Sequence, residues 1–184
     1  MSALGPTAAP GVRRRWAGLV VLSASLLVVV MDMTILNVAL PELTVAVGAG
    51  AVAQLWIVDA YSLVLAGLLI PVSALADRWG RRRVLLIGFT LFGVSSAAVL
   101  LANSSSAIIA IRVVLGVGGA MIMPATLSLV RALFPDATER AFALGVWGAT
   151  AAAGAAIGPV VGGLLLELFS WHAAFLFNVP LMIA

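Results

Sequence analysis

The sequence predicts an all-α polytopic membrane protein, and three observations carry that reading. Of the 184 residues, 64% are hydrophobic and only 9% are charged, a composition outside the range of soluble globular domains. The apolar residues gather into blocks instead of recurring at helical or strand period. About twenty residues at about 1.5 Å each cross a hydrocarbon core of about 30 Å, and the blocks have that length. All ten basic residues are arginine, and nine of them lie outside the blocks.

Residues 1–16 form an N-terminal segment ending in Arg13, Arg14, Arg15 and Trp16, and the apolar blocks then run 17–40, 52–72, 84–102, 107–130 and 141–166. Each is long enough to span. A sixth opens at Ala173 and is cut at Ala184, and twelve residues are too few to cross. The chain therefore reads as five full spans plus part of a sixth, the front portion of a longer protein; a five-span protein ending in a stub is the alternative. The first block is too long to be the apolar core of a secretory signal, and four more follow it. With no cysteine and one histidine, His172, neither a disulfide framework nor a thiolate or histidine-rich metal site is expected.

Orientation follows from the arginines. Arg13 to Arg15, Arg78 to Arg83, and Arg131 with Arg140 all fall on one side when each block crosses once, while connections 42–51, 103–106 and 167–172 carry no basic residue. Nine against none is a strong positive-inside asymmetry, so the N-terminus is expected in the cytoplasm. The net charge of +3 then needs no nucleic-acid partner, because topology and contacts with membrane lipids account for the arginines.

Three ionisable residues fall inside the blocks: Asp32, Asp59 and Arg112. On insertion scales each costs about 2.5 to 3.5 kcal/mol at a helix centre, so each is a functional candidate. Asp32 lies roughly 22 Å into the first span, past the midplane, and aspartate is too short to snorkel out. A carboxylate facing a wet cavity gains and loses a proton as access changes, which makes Asp32 a proton or cation site; the alternative is a carboxylate bonded to Thr34 or Asn37. Asp59 stands near Trp56 and Tyr61, both typical interface anchors, and reads either as an acid at headgroup level or as a further cation site. Arg112 stays charged at any working pH, so it biases a nearby carboxylate or orients water instead of carrying the proton. Gly116 and Gly119 follow it at spacings of four and seven, which puts a groove of bare backbone along its own face, and a purely structural pairing is the alternative.

Two further segments stand out. "SALADRWGRRRVLL" joins the second and third blocks through Asp77, Arg78, the turn glycine Gly80 and Arg81, and is too short and too charged to be only a tether. "GAAIGPVVGG" in the fifth block puts Gly154, Gly158 and Gly162 on one face, with Pro159 interrupting the hydrogen-bond ladder and Gly163 beside them. Small residues at that spacing let helices approach closely, so packing alone is one reading of this face.

Together these segments resemble the major facilitator superfamily, and within it the fourteen-span drug:proton antiporters. "ADRWGRRR" is similar to the signature between helices two and three, with Ser73 where that pattern starts with glycine. "IRVVLGVGGA" resembles the fourth-helix motif, with Leu115 in place of its frequent glutamine. "GAAIGPVVGG" matches the fifth-helix antiporter motif, and "MDMTILNVALPEL" is similar to the first-helix motif of the fourteen-span group. "WIVDAYSLVLAGLLIP" and "SWHAAFLFNVP" resemble the exporters of antiseptics and quaternary ammonium compounds.

The resemblance implies an N-terminal helical bundle of a major facilitator fold, built from inverted three-helix repeats that place Asp32 and Arg112 on the first helix of each repeat, facing one cavity. It implies proton-coupled export of hydrophobic, often cationic drugs by alternating access, with protons and small lipophilic cations as partners and the C-terminal half of the transporter still to be supplied. Arg112 would couple proton movement, and Asp32 would serve that coupling or recognition of the cation. Asp77, Arg78, Gly80 and Arg81 would form the conformational switch, and Gly154, Gly158, Pro159, Gly162 and Gly163 the antiporter helix. The expected location is the cell membrane, and the expected energy source is the proton gradient with no cofactor. The chain has no lysine, hence no glycine-rich nucleotide loop ending in Lys-Ser/Thr. An exporter of an endogenous metabolite, antibiotic or lipid in the same fold is one alternative, and a non-transporting membrane fragment that assembles with a partner is another. An enzyme is not expected, since no nucleophile with a base and no metal cluster stands out.

Overall fold

A computed structural model of the chain describes residues 11–183, and all the regular structure in it is helical. The helices are α1 (Val12–Ala46), α2 (Ala51–Trp79), α3 (Arg81–Ala98), α4 (Ser105–Leu133), α5 (Ala137–Leu168), α6 (Ala173–Leu176) and α7 (Asn178–Ile183). A 3₁₀ turn, Val99–Leu101, extends α3. Among the described residues, five helices are long and apolar enough to cross a membrane; α6 and α7 together begin a shorter apolar segment.

Four of the five spanning helices outrun the apolar blocks read from sequence at both ends, and α3 does so at its start but ends at Ala98, within its block. α1 has 35 residues, starts five before the block and continues past Pro41. The apolar block marks the depth of the hydrocarbon, whereas backbone hydrogen bonding continues through the interface, where arginine and glutamate are tolerated. Residues 12–16 of the N-terminal segment are thus the first turns of α1, and residues 1–10 lie outside the described residues. The connections shrink accordingly. Gly48, at φ +63°, helps turn α1 into α2, and Gly80, at φ +92°, is the single residue between α2 and α3. A side chain at either position would meet the left-handed backbone penalty. Ser104 caps α4 through its hydroxyl, and Asp136 caps α5 by accepting from the backbone N–H groups of Thr138 and Glu139 at 2.9 Å each. Hydrogen bonds from the first turn of α5, that from Glu139 foremost, hold the Asp136 carboxyl below its ordinary 3.8.

α1 and α4 form the centre. α1 packs along α5, α4 packs along α2 and α3, and α1 and α4 meet each other. The second helix of each three-helix unit therefore lies against the first helix of the other, an exchange expected of two repeats. Both long contacts are made close by glycine, on opposite partners. In the first, α5 supplies Gly154 against Leu27, Gly158 against Thr34 and Gly162 against Ile35 and Val38. In the second, α4 supplies Gly116, where an added Cβ would stand 2.7 Å from the Tyr61 carbonyl oxygen, and Gly119 against Leu65 and the Tyr61 hydroxyl. The bare groove expected beside Arg112 is thus filled by α2. Gly163 has nothing within 4 Å of where its Cβ would be, so it lies outside the α1–α5 contact, and Pro159 leaves α5 one continuous helix. The buried apolar core runs through Leu26, Val29, Ile35 and Leu43 of α1 and Ile108, Leu115, Ile122 and Val130 of α4, while α5 shows Phe142, Ile157, Val160, Leu164 and Leu168 on the surface.

Candidate functional site

α1 and α4 run antiparallel, so Asp32, beyond the middle of α1, and Arg112, early in α4, come to the same depth. They are in direct contact. Arg112 Nη1 donates to Asp32 Oδ2 at 2.6 Å, and the two side chains are only 1% and 2% exposed. The expected cavity between them is closed by this contact, because opposite charges excluded from water gain most by meeting directly. The other partners come from three more helices. Arg112 Nε donates to the carbonyl of Ile57 in α2 at 3.0 Å, and its guanidinium carbon sits 4.3 Å from the centre of the Tyr61 ring. The Tyr61 hydroxyl donates to the carbonyl of Val29 at 3.0 Å. Asp32 Oδ1 accepts from Asn178 Nδ2 of α7 at 2.8 Å, and the same amide nitrogen donates to Ser96 Oγ of α3 at 3.2 Å.

This is a buried ionic site. Taking each ion out of water costs several kcal/mol even after relaxation, and the pair holds only because further hydrogen bonds and the aromatic face complete it. One proton on Asp32 would cancel the attraction while leaving Arg112 its Ile57 carbonyl and Tyr61 ring. The arrangement can therefore exist in two electrostatic states.

The remaining candidate residues are distributed differently. Thr34 and Asn37, weighed as partners of Asp32, bond backwards to the carbonyls of Met31 and Met33 on their own helix. Tyr61 is not an interface anchor but is fully buried beneath Arg112, whereas Trp56 is 51% exposed. Asp59 is two residues before Tyr61, on the opposite face of α2, so it points away from the pair; it is exposed beside a cavity of about 410 Å³ shared with Leu40, Gln54, Leu55 and Val58. In the α2–α3 turn, Asp77 Oδ1 accepts from Arg81 Nη2 at 3.3 Å, with both side chains well exposed. Arg78 follows Asp77 directly, leaves the helix in a different direction and joins no ion pair among the described residues.

Four participants went unread in the sequence. Tyr61 carries the sequence mark of an interface anchor, and Asn178 and Ser96 are polar without being ionisable, so the cost of burying charge does not single them out; an amide in the sixth block is the available signal. Arg15, read as a topology marker, pairs with Glu139 at 2.9 Å and lies over the Phe134 ring, which ties the start of α1 to the start of α5. Among the described residues, no cluster of three or more His, Cys, Asp or Glu side chains could hold a metal.

Comparison with known proteins gives a consistent result. The family model described as Major Facilitator Superfamily matches residues 22–184. The methyl viologen resistance protein SmvA of Salmonella typhimurium is 47% identical over 170 residues, which is 92% of this chain and 34% of that protein. The multidrug efflux pump LfrA of Mycolicibacterium smegmatis is 48% identical over 170 residues, with the same two coverages, 92% and 34%. The chain thus spans about a third of the length of these relatives, as their 34% coverage states. Among solved structures, a bacterial homologue of the human lysosomal transporter Spinster, in an inward-facing and unoccupied conformation, superposes with a TM-score of 0.78 at 18% identity. That match covers 95% of this chain and 43% of the other, and it speaks to the fold.

Proposed function

Because this chain belongs to the Major Facilitator Superfamily, we propose that it forms the proton-coupling part of a secondary transporter that exports lipophilic, often cationic drugs. The observation that carries the reading is the Asp32–Arg112 pair, buried at 2.6 Å on the two central helices. A membrane protein keeps such a pair at the contact of its repeats when the pair is used. Protonation of Asp32 neutralises one member and loosens the α1–α4 contact; deprotonation restores the pair. Alternating access driven by a proton gradient needs a two-state element of this kind.

Asp32 is sealed by Arg112 and Asn178, so a cation reaches it only after the contact opens. Asp59 is the carboxylate on the accessible face, and it is the proposed first contact for an organic cation. The drugs named for the relatives support the substrate class, and methyl viologen is itself an aromatic dication. The exposed Asp77–Arg81 pair is worth about 1 kcal/mol or less. It would act as a switch only by meeting further charged groups, together with Arg78 and the hinge at Gly80. The α5 face of Gly154, Gly158 and Gly162 around Pro159 would let α1 and α5 slide as one closely packed unit. The protein is proposed to reside in the cell membrane with its arginine-rich end in the cytoplasm, surrounded by lipid, and to work with the rest of a carrier. It would use the proton gradient with no cofactor and bind no nucleic acid.

The test is ethidium efflux from a drug-sensitive bacterial host expressing the complete carrier of which this chain is the proposed part. Efflux is expected to stop when the proton gradient is collapsed, and Asp32→Asn, present in the membrane at the same level, is expected to stop it as well. Efflux that continues unchanged in both arms refutes the coupling role.

A further inference from the structure

Asn178 opens α7 with none of its surface exposed. Its amide nitrogen donates twice, to Asp32 and to Ser96, while its carbonyl Oδ1 has no hydrogen-bond partner among the described residues. The orientation is dictated by the acid: an ionised carboxylate only accepts, so the amide must turn its nitrogen toward it. Buried carbonyls are rarely left without a donor, and this one belongs to a residue in contact with the site's carboxylate.

The geometry also fixes where a proton would go. Arg112 occupies Asp32 Oδ2, so a proton arriving from water bonds to Oδ1, the oxygen facing Asn178. That oxygen then carries an O–H that needs an acceptor, and an N–H facing it cannot supply one. A half-turn of the amide about its Cβ–Cγ bond brings the carbonyl opposite the new O–H. The Ser96 hydroxyl either donates or accepts, so it follows by rotating. No bond holds the carbonyl where it is, so the turn breaks only the two contacts that it then remakes with reversed polarity.

We propose that Asn178 is a positioning residue that serves both protonation states of Asp32, donating to the carboxylate and turning to accept from the carboxylic acid, with Ser96 as its second partner in each. The step balances simply: a hydronium ion gives one proton to form the O–H bond on Oδ1 and leaves as water, the N–H···O contact from Asn178 is exchanged for an O–H···O contact to it, and Arg112 loses its counter-charge. The charged or titratable groups facing Asp32 are Arg112 from α4 and Tyr61 from α2. α3 and α7 contribute Ser96 and Asn178, and α5 carries no ionisable residue between Arg140 and Glu167. The proposal rests on Asp32 being the proton site.

Infrared titration of the chain in lipid nanodiscs, with asparagine carbonyls labelled with carbon-13, separates the two claims. Asn37, Asn103 and Asn178 are the only asparagines. In the unsubstituted protein a carboxylic-acid band is expected to appear as the pH falls. One labelled side-chain carbonyl should shift to lower frequency with the same midpoint, and both changes should vanish in Asp32→Asn. In Asn178→Leu the acid band should remain, move to higher frequency and lose its labelled companion. An acid band that depends on Asp32 while every labelled carbonyl stays still overturns the role of Asn178 and spares that of Asp32. Absence of any acid band assignable to Asp32 overturns both. The labelled unsubstituted protein decides the matter even if Asn178→Leu fails to fold.

Discussion

Arg112→Met removes a charge and leaves Asp32 buried beside Asn178 alone. Breaking a buried pair from one side costs about 3 to 5 kcal/mol, because the surviving ion keeps its desolvation penalty. Thermal unfolding in nanodiscs is therefore expected to fall sharply for Arg112→Met and to recover most of the loss in Arg112→Met with Asp32→Asn; a double variant as unstable as the single one would mean that the pair is not the source of the cost. Tyr61→Phe keeps the ring beneath the guanidinium and loses only the bond to Val29, so it should cost about 1 kcal/mol. Tyr61→Leu should cost clearly more in the same assay. At this scale the charges were legible and their company was not. Asp32 and Arg112 stand out in apolar blocks on energetic grounds alone. That they touch depends on the depth at which two antiparallel helices align, and that Tyr61 faces inward while Asp59 faces outward depends on the rotation of α2, which a nearly uniform apolar sequence hardly encodes.

The two glycine contacts make opposite predictions for neighbouring residues of one helix. A Cβ at Gly158 would collide with Thr34 Oγ1, whereas Gly163 faces open space. Gly158→Ala should cost about 1 to 3 kcal/mol, as overpacked contacts do, and be partly rescued by Thr34→Ala; Gly163→Ala should be silent in thermal unfolding. The sequence announced the face of Gly154, Gly158 and Gly162 through its spacing of four. It did not say that α1 is the partner, because spacing identifies a face and not what lies against it. The start of α5 gives a pH prediction. The Asp136 carboxyl, held below its ordinary 3.8, contributes its cap above the unfolded value and loses it as pH falls through the folded one. Amide exchange in the first turn of α5 should therefore rise in acid, and Asp136→Asn, which still caps, should flatten that dependence.

Across the whole molecule, five spans and their order could be read from hydropathy, because lipid forces every backbone polar group to be satisfied within a helix. Block ends were less legible, since interface residues obey weaker rules than the hydrocarbon does. The exchange of partners, α5 on α1 and α2 on α4, makes the buried pair a property of the assembled bundle and not of either repeat. Loosening the Asp32–Arg112 contact would let these two closely packed units move relative to each other, which is how a single proton could reach the whole carrier. The most direct test places the complete carrier in liposomes with a pH-sensitive dye trapped inside and imposes a gradient of a lipophilic cation. Proton movement against the cation is expected in the unsubstituted carrier and absent in Asp32→Asn. Proton counterflow of the same size in Asp32→Asn would contradict the account.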